Sequence, residues 1–218
     1  MDSVIRVVIA DDHLLLRQGT KEILHRDPRI DVVGEAADGD EAVELVERLG
    51  PDVVLMDIGM PGSNGIDATR RIAAGPAGTR VLLLTVHDEQ EYVVEGIRSG
   101  ASGYLLKDVD GDQLVDAVLA VAAGGAVLHP RVAPGVVRSL REPTPPPEAD
   151  VLTPRQIEVL ALMAEGLSNR DIGERIGASG RTVEVHVSNI FRRLDVSSRT
   201  QAVVEGIRRG LVEPGPTS

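Results

Sequence analysis

The first 123 residues alternate short apolar runs with segments of helical periodicity. Several of these runs are continuously apolar and rich in β-branched residues, which is typical of parallel strands covered on both faces. The five predicted strands are VIRVVIA (4–10), IDVVGEA (30–36), DVVLMD (52–57), RVLLLTV (80–86) and SGYLLK (102–107). The five predicted helices lie near 14–26, 39–49, 64–74, 88–99 and 111–123. Five such strand–helix units predict an α/β fold with a doubly wound, five-stranded parallel sheet.

From Thr153 onward the periodicity is helical only. Thr153 and Gln156 form a predicted capping box, with Pro154 at the first helical position. The other three predicted helices open at 168–171, follow the break GASG (177–180), and run from about 199 to 209. A buried stripe is predicted in the third of these four helices, at Val183, Val187, Ile190 and Leu194. The pattern predicts a small all-α domain of four helices, whose second and third helices form a helix-turn-helix.

The composition changes between these two halves. Gly124 and Gly125 end the fifth helix of the first half, and REPTPPP (141–147) is predicted to be extended chain. We therefore predict a first domain over 1–123, a linker over 124–150, a helix-turn-helix domain over 151–212 and a disordered tail over 213–218.

The charge of the chain is unevenly distributed. The net charge is −11, but residues 1–130 carry 11 basic and 23 acidic side chains while residues 151–218 carry 9 and 8. The second half has a net charge of about +1, which permits binding to DNA. The chain has no cysteine, which excludes disulfides and thiolate chemistry. It shows neither a signal-peptide pattern nor an apolar run of membrane-spanning length, so a cytoplasmic location is expected.

Chemically reactive side chains stand at the carboxyl ends of the predicted strands. Asp11 and Asp12 follow the first strand, Asp57 closes the third, Thr85 ends the fourth and Lys107 ends the fifth. Because ligands of an open parallel sheet bind at this edge, the five side chains should converge. Carboxylates that lie close together repel one another unless a cation lies between them. A ligand set made of oxygen atoms only favours Mg²⁺ as that cation. Each residue taken singly also has a structural interpretation, such as Asp12 as a helix N-cap or Lys107 as a solvated strand end.

Four motifs carry a resemblance to a known family. VVIADDH, LMDIGMPGSNG, LLLTVHD and GYLLKD resemble the receiver domain of two-component response regulators, which has a flavodoxin-like fold, over about residues 4–123. The resemblance implies that Asp57 is the phosphoacceptor and that Lys107 pairs with the phosphoryl group. It also implies that Thr85 and Tyr104 form the switch, and that Mg²⁺ is held by Asp11, Asp12, Asp57 and the backbone carbonyl of Gly59.

Two histidines also lie near this edge of the predicted sheet, His13 and His87. No second ligand stands at metal-binding spacing from either of them along the sequence. Both are therefore expected to be surface or capping residues.

The C-terminal half carries a second resemblance. The string from LTPRQIEVLALMAEG through RTVEVHVSNIFRRLDVSSRTQAV resembles the DNA-binding domain of LuxR-type regulators. Joined to a receiver, it resembles the NarL/FixJ family of response regulators. The residues expected to face DNA are Arg181, Thr182, Glu184, Val185, Ser188, Asn189 and Arg192. Glu184 departs from the family, which often has a basic residue there, and Val203, Val204 and Ile207 could form a dimer contact or belong to the core.

The function implied by both resemblances is a transcription regulator controlled by phosphorylation, and not an enzyme. Its expected partners are a sensor histidine kinase, promoter DNA and a second copy of the chain when phosphorylated or bound to DNA. One alternative is a constitutive DNA-binding protein with a silent receiver. Another is a Mg²⁺-dependent aspartyl phosphatase, which would need a general acid two residues after Asp57, where Gly59 stands.

Overall fold

The computed structural model describes residues 4–60, 64–76, 78–86, 90–134, 136–137, 152–178 and 180–213. The chain divides into two compact units, residues 1–142 and 143–218, and the division falls inside the segment predicted as a linker. Much of that linker, 138–150, and nearly all of the predicted tail, 214–218, lie outside the described residues. Among the helices of the described part, none combines the length and apolar character needed to cross a bilayer.

The first unit is an alternating series of strands and helices. Its strands are β1 (Ile5–Ala10), β2 (Ile30–Ala36), β3 (Val53–Met56), β4 (Arg80–Thr85), β5 (Gly103–Leu106) and β6 (Val127–Leu128). Its helices are α1 (Leu14–Leu24), α2 (Gly39–Leu49), α3 (Gly65–Ala74), α4 (Gln90–Arg98) and α5 (Gly111–Ala122).

All described strands pair in parallel, in the order β2-β1-β3-β4-β5-β6. The central strands are apolar along their whole length and buried, as expected for a sheet covered by helices on both faces. Helix α5 packs over one face through Leu114, Val118 and Val121, which join Leu55 and Leu82 in one hydrophobic core. The predicted doubly wound α/β fold is confirmed.

A sixth strand extends the sheet beyond the five that were predicted. β6 pairs with β5, matching Gly103 with Val127 and Tyr104 with Leu128, and His129 N donates to the carbonyl of Tyr104 over 2.8 Å. These residues belong to the segment that sequence patterning assigned to the linker. Two residues are too few for a periodic signal, so this strand is defined by its partner rather than by its own sequence.

Polar side chains set the starts of several helices. Asp38 caps α2, Asn64 caps α3 and Asp110 caps α5, the last in a reciprocal capping box with Gln113. Helix α1 differs, because its N-cap position is His13 and no side-chain cap hydrogen bond is made there. The alternative in which Asp12 is only the N-cap of α1 is therefore wrong.

The second unit is helical throughout its described part. Its helices are α6 (Pro154–Ala164), α7 (Asn169–Ile176), α8 (Gly180–Leu194) and α9 (Arg199–Arg208). The predicted capping box at Thr153 and Gln156 opens α6, and Gly177, with φ 70°, ends α7 in the left-handed region. The predicted stripe of α8 is buried in a core shared with α6 and α7, whose members include Val183, Val187, Ile190, Leu194, Leu160 and Ile172.

Candidate functional site

The strand register brings four of the five predicted side chains to one edge of the sheet, namely Asp11, Asp12, Asp57 and Lys107. The amide of Asp57 donates to Ala10 O over 2.8 Å, so the end of β3 lies beside the end of β1. The amide of Lys107 donates to Thr85 O over 2.8 Å, which aligns the ends of β5 and β4 in the same way. The residues that follow these strands therefore share one rim, as the sequence predicted.

Lys107 joins two carboxylates within this rim. Its Nζ atom lies 2.6 Å from Asp11 Oδ2 and 2.9 Å from Asp57 Oδ2. The exposed fractions of these side chains are only 12% for Lys107, 8% for Asp11 and 4% for Asp57. Asp12 adds a third carboxylate, so the four side chains together carry a net negative charge that a divalent cation can compensate.

The donor atoms of the rim fit a divalent cation. Asp11, Asp12, His13 and Asp57 each offer one ligand atom, and all four atoms lie within 4.8 Å of one another. Three of the donors are carboxylate oxygens, the ligand type that Mg²⁺ prefers. Asp57 Oδ1 also accepts a hydrogen bond from the amide of Gly59 over 3.3 Å, which fixes the orientation of this carboxylate.

His13 stands at the N-cap position of α1 with 47% of its side chain exposed, as expected for a surface or capping residue, and its side chain also lies beside these carboxylates. Its Nδ1 atom lies 3.2 Å from Asp12 Oδ1 and 3.5 Å from Asp11 Oδ1. Sequence spacing could not reveal the relation to Asp57, which lies 44 positions further along the chain. The other histidine near the rim, His87, lies outside the described residues.

The loop after β3 holds Asp57 by close backbone contact. The amide of Gly65 donates to Ile58 O over 3.2 Å, and a Cβ atom added at Gly65 would stand 1.9 Å from the carbonyl oxygen of Asp57. No side chain can be accommodated at that separation. Asn64 caps α3 beside it, and its Oδ1 accepts from Ile66 N and Asp67 N, both over 3.0 Å.

Thr85 and Tyr104 lie deeper than the charged residues. Both are fully buried, Thr85 at the end of β4 and Tyr104 within β5. A Cβ atom added at Gly96 of α4 would stand only 3.4 Å from ring carbon Cε2 of Tyr104, so the ring packs closely under α4. The two predicted switch residues are thus in place between the rim and the α4 face of the unit.

The residues of the second unit that were predicted to face DNA differ in their exposure to solvent. On α8, Glu184 and Ser188 are exposed, whereas the residues buried in this structure are Thr182, Val185 and Asn189. Arg192 is half-buried and donates to Asn189 Oδ1 over 3.1 Å. The side chain of Arg181 lies outside the described part of the chain. Contact of these seven residues with DNA stays a prediction.

Comparisons with known proteins match both units. The family described as "Response regulator receiver domain" matches residues 7–119, and "Bacterial regulatory proteins, luxR family" matches residues 150–205. The transcriptional regulatory protein DegU of Brevibacillus brevis is 44% identical, covering 97% of both chains. The nitrate/nitrite response regulator NarL of Escherichia coli K12 is 38% identical, covering 91% of this chain and 93% of its own.

A solved structure supports the same assignment. The response regulator ChrA of a heme-sensing two-component system is 36% identical, covers 97% of this chain and 100% of its own, and superposes with a TM-score of 0.54. The acidic rim, the helix-turn-helix and these matches over nearly the whole chain agree. The chain belongs to the NarL/FixJ family of two-component response regulators, with a receiver domain followed by a LuxR-type DNA-binding domain.

Proposed function

We propose that this protein is a DNA-binding transcription regulator whose activity is controlled by phosphorylation of Asp57. The observation that carries the proposal is the buried pairing of Lys107 with both Asp11 and Asp57 at the end of the sheet. It places a nucleophilic carboxylate next to a fixed positive charge, which phosphoryl transfer requires. The match to a transcriptional regulatory protein over 97% of the chain supports regulation of transcription as the output.

In the proposed transfer, a sensor histidine kinase is the donor. A carboxylate oxygen of Asp57 bonds to phosphorus as the phosphorus–nitrogen bond of the kinase phosphohistidine breaks, and the leaving imidazole takes up a proton from water. Lys107 pairs with a phosphoryl oxygen, because its ammonium already lies 2.9 Å from Asp57 Oδ2. The amide of Gly59 orients the acceptor carboxylate through the hydrogen bond to Asp57 Oδ1.

The proposed cofactor is Mg²⁺, held by Asp11, Asp12, Asp57 and the backbone carbonyl of Gly59. When bound, the ion neutralises charge on the oxygens of the transferred group. Asp11 and Asp12 serve as ligands that keep it beside the acceptor. The three clustered carboxylates support this assignment, since such a donor set favours a hard cation.

The response to phosphorylation is proposed to pass through Thr85 and Tyr104. The hydroxyl of Thr85 turns toward the new phosphoryl oxygens, and the ring of Tyr104 moves into the space that Thr85 leaves. Both side chains are buried and Tyr104 packs under α4, so their movement changes the packing of the α4–β5 face. Phosphorylation shifts the equilibrium between the two arrangements of Thr85 and Tyr104 only by the difference between the interaction energies of the phosphoryl group with each of them.

The output surface is proposed to be α8, entering the major groove of promoter DNA. The proposed DNA contacts are Arg181, Thr182, Glu184, Val185, Ser188, Asn189 and Arg192. The protein is proposed to form a homodimer when phosphorylated or bound to DNA. On α9, Val204 has an exposed fraction of 59% and supports such a contact, whereas Val203 packs against the core of the unit.

The acceptor assignment is tested by intact-mass analysis after incubation with acetyl phosphate. The wild-type chain should gain one phosphoryl group in a Mg²⁺-dependent reaction, and Asp57→Asn should gain none. Asp108→Asn is the matched control, because Asp108 follows Lys107 but has a side chain 56% exposed, outside the cluster. Undiminished labelling of Asp57→Asn would contradict the assignment.

The output is tested by selecting bound DNA fragments from a random pool with and without the phosphodonor. Phosphorylated protein should bind its selected sites more tightly. Identical binding curves from protein shown to be labelled would instead support a constitutive regulator with a silent receiver. The phosphatase alternative lacks support because Gly59 provides no general acid.

A further inference from the structure

Arg17 is a largely buried cation next to the turn that carries the first two carboxylates of the rim. It lies in the first turn and a half of α1, and its side chain has an exposed fraction of only 14%. Its guanidinium donates to the backbone carbonyl of Asp11 over 2.5 Å. Because a charged side chain is buried only where it finds partners, this contact needs a reason beyond the surface of the helix.

The guanidinium is held in place by a second partner, Glu35 of β2. Arg17 Nε lies 3.3 Å from Glu35 Oε2, and the ammonium of Lys21 lies 2.7 Å from Glu35 Oε1. The hydrogen bond and charge of Lys21, and to a smaller extent those of Arg17, hold the pKa of the Glu35 carboxyl below its ordinary value. Glu35 is therefore ionised at neutral pH and keeps Arg17 fixed against Asp11.

The backbone of Asp11 requires such a donor. Asp11 is 5% exposed and lies in the segment 11–13, which is neither strand nor helix. Its amide continues the sheet by donating to Ala36 O over 3.1 Å. A buried carbonyl outside regular structure depends on a side chain or water for its hydrogen bond, and Arg17 supplies that bond here.

The position of this turn decides where two of the three carboxylates stand. Asp11 Oδ2 lies 2.6 Å from Lys107 Nζ, and Asp12 is the next residue of the same turn. Both carboxylates repel that of Asp57, so their charges favour a turn that spreads away from β3. The bond from Arg17 to the Asp11 backbone opposes this spreading.

We propose that Arg17 is a positioning residue of the cation site, whose bond to the backbone of Asp11 keeps Asp11 and Asp12 close enough to Asp57 to bind Mg²⁺ together. The inference rests on the cation site of the proposed function and adds to it a residue that acts through the backbone of a ligand. Partners that orient metal ligands in this way change metal affinity by roughly ten- to a hundred-fold when they are removed.

The charge of Arg17 taken alone predicts the opposite effect. A guanidinium near the carboxylates repels a divalent cation, so removal of its charge without movement of the turn tightens Mg²⁺ binding. A positioning role predicts weaker binding, because the ion must then bring the carboxylates together against their repulsion. The sign of the change in Mg²⁺ affinity therefore separates the two roles.

The test measures the Mg²⁺ dissociation constant of the full-length chain by calorimetric titration. In Arg17→Met, which keeps a long side chain of similar helix propensity, this constant should rise roughly ten-fold or more. Labelling of Asp57 by acetyl phosphate should need correspondingly more Mg²⁺, while its rate at saturating Mg²⁺ should change less than about two-fold. Arg17→Gln is a second variant with the same expected result, in case Arg17→Met fails to fold.

Lys21→Met is the matched control. Lys21 lies one turn further along α1 and pairs with the same Glu35, so its replacement removes an equal charge and leaves the bond from Arg17 to Asp11 in place. The Mg²⁺ affinity of this control should stay within about two-fold of wild type. Equal losses of affinity in Lys21→Met and Arg17→Met, or unchanged or tighter binding in Arg17→Met, would overturn the proposal.

The outcome is separable from that of phosphorylation. A wild-type chain that binds Mg²⁺ but gains no phosphoryl group would refute the proposed acceptor, and weaker Mg²⁺ binding in Arg17→Met would still support the role of Arg17. Normal labelling with equal dissociation constants in wild type and Arg17→Met would refute the role of Arg17 alone. A wild-type chain that binds no Mg²⁺ would refute the proposed cofactor and the role of Arg17 together.

Discussion

Replacement of Lys107 by methionine removes the positive charge of the rim while keeping the length of the side chain. In the folded protein the ammonium lies 2.6 Å from Asp11 Oδ2 and 2.9 Å from Asp57 Oδ2. The variant leaves these two carboxylates together with Asp12, without a protein cation at the centre of the cluster. The first unit should therefore be less stable when no divalent ion is bound.

The size of the loss follows from the burial of the pair. Removing one partner of a buried ion pair costs about 3–5 kcal/mol, and the side chains of Lys107, Asp11 and Asp57 are all less than one-eighth exposed. We therefore expect a loss of about 3–5 kcal/mol at pH 7.

Denaturant unfolding of the full chain, followed by a probe specific for the first unit, measures this loss. Lys21→Met is the matched control, because Lys21 is the other lysine of the chain and pairs with Glu35 at the surface, where 36% of its side chain is exposed. That control should lose less than about 1 kcal/mol. Saturating Lys107→Met with Mg²⁺ at about one hundred times its dissociation constant should return about 2.7 kcal/mol. Equal losses for both lysine variants would refute the reasoning.

Four further predictions concern other positions of the chain. In Gly65→Ala the added Cβ meets the carbonyl oxygen of Asp57 and should displace the backbone of that residue. The rate of Asp57 labelling should fall by up to about a hundred-fold, and the first unit should lose about 1–3 kcal/mol or more of stability. Gly19→Ala, where nothing lies within 4 Å, should instead stabilise α1 by about 0.5–1 kcal/mol in the same unfolding assay. Glu184→Ala should remove a preference of about 1–3 kcal/mol at one base position of the selected site and raise non-specific binding to DNA. Site selection with both proteins at one salt concentration measures this, and an even loss of affinity across all sequences would contradict base recognition by Glu184. The hydrogen bond from Arg208 lowers the pKa of Glu205 from 4.5 to about 2. The stabilisation from this carboxylate is therefore present above pH 4.5 and is lost as the pH falls toward 2. Glu205→Gln should remove that part of the pH dependence of unfolding, measured by denaturant titration at a series of acidic pH values.

Local sequence determined most of the secondary structure. The central strands of the first unit are continuous apolar runs that have no favourable place except between covering helices. In the second unit, α6, α7 and α9 begin at side chains that bond to the backbone of their own first turn. The capping box at Thr153 and Gln156 is an example, because every atom in it lies within four residues. Such interactions depend on near neighbours, so the sequence alone predicted them.

The rim was predictable for a different reason. In a parallel sheet all carboxyl ends lie at one edge, so the topology placed Asp57 and Lys107 on the same rim, although β4 lies between their strands. Their pairing at 2.9 Å agrees with that expectation. The resemblance to receivers added the roles, which the pattern of residues could not supply.

Only the tertiary structure decided three other features. β6 exists because Val127 and Leu128 find the free edge of β5, a partner that no local periodicity indicates. His13 lies within 4.8 Å of the carboxylate of Asp57, 44 positions away in the sequence, because β1 and β3 lie next to each other. The burial of Val185 on the predicted DNA-facing side of α8 was likewise not predictable from its helical position. The pairing of β6 and the approach of His13 to Asp57 depend on atoms distant in sequence, whose positions are set by packing and not by the preferences of the local chain.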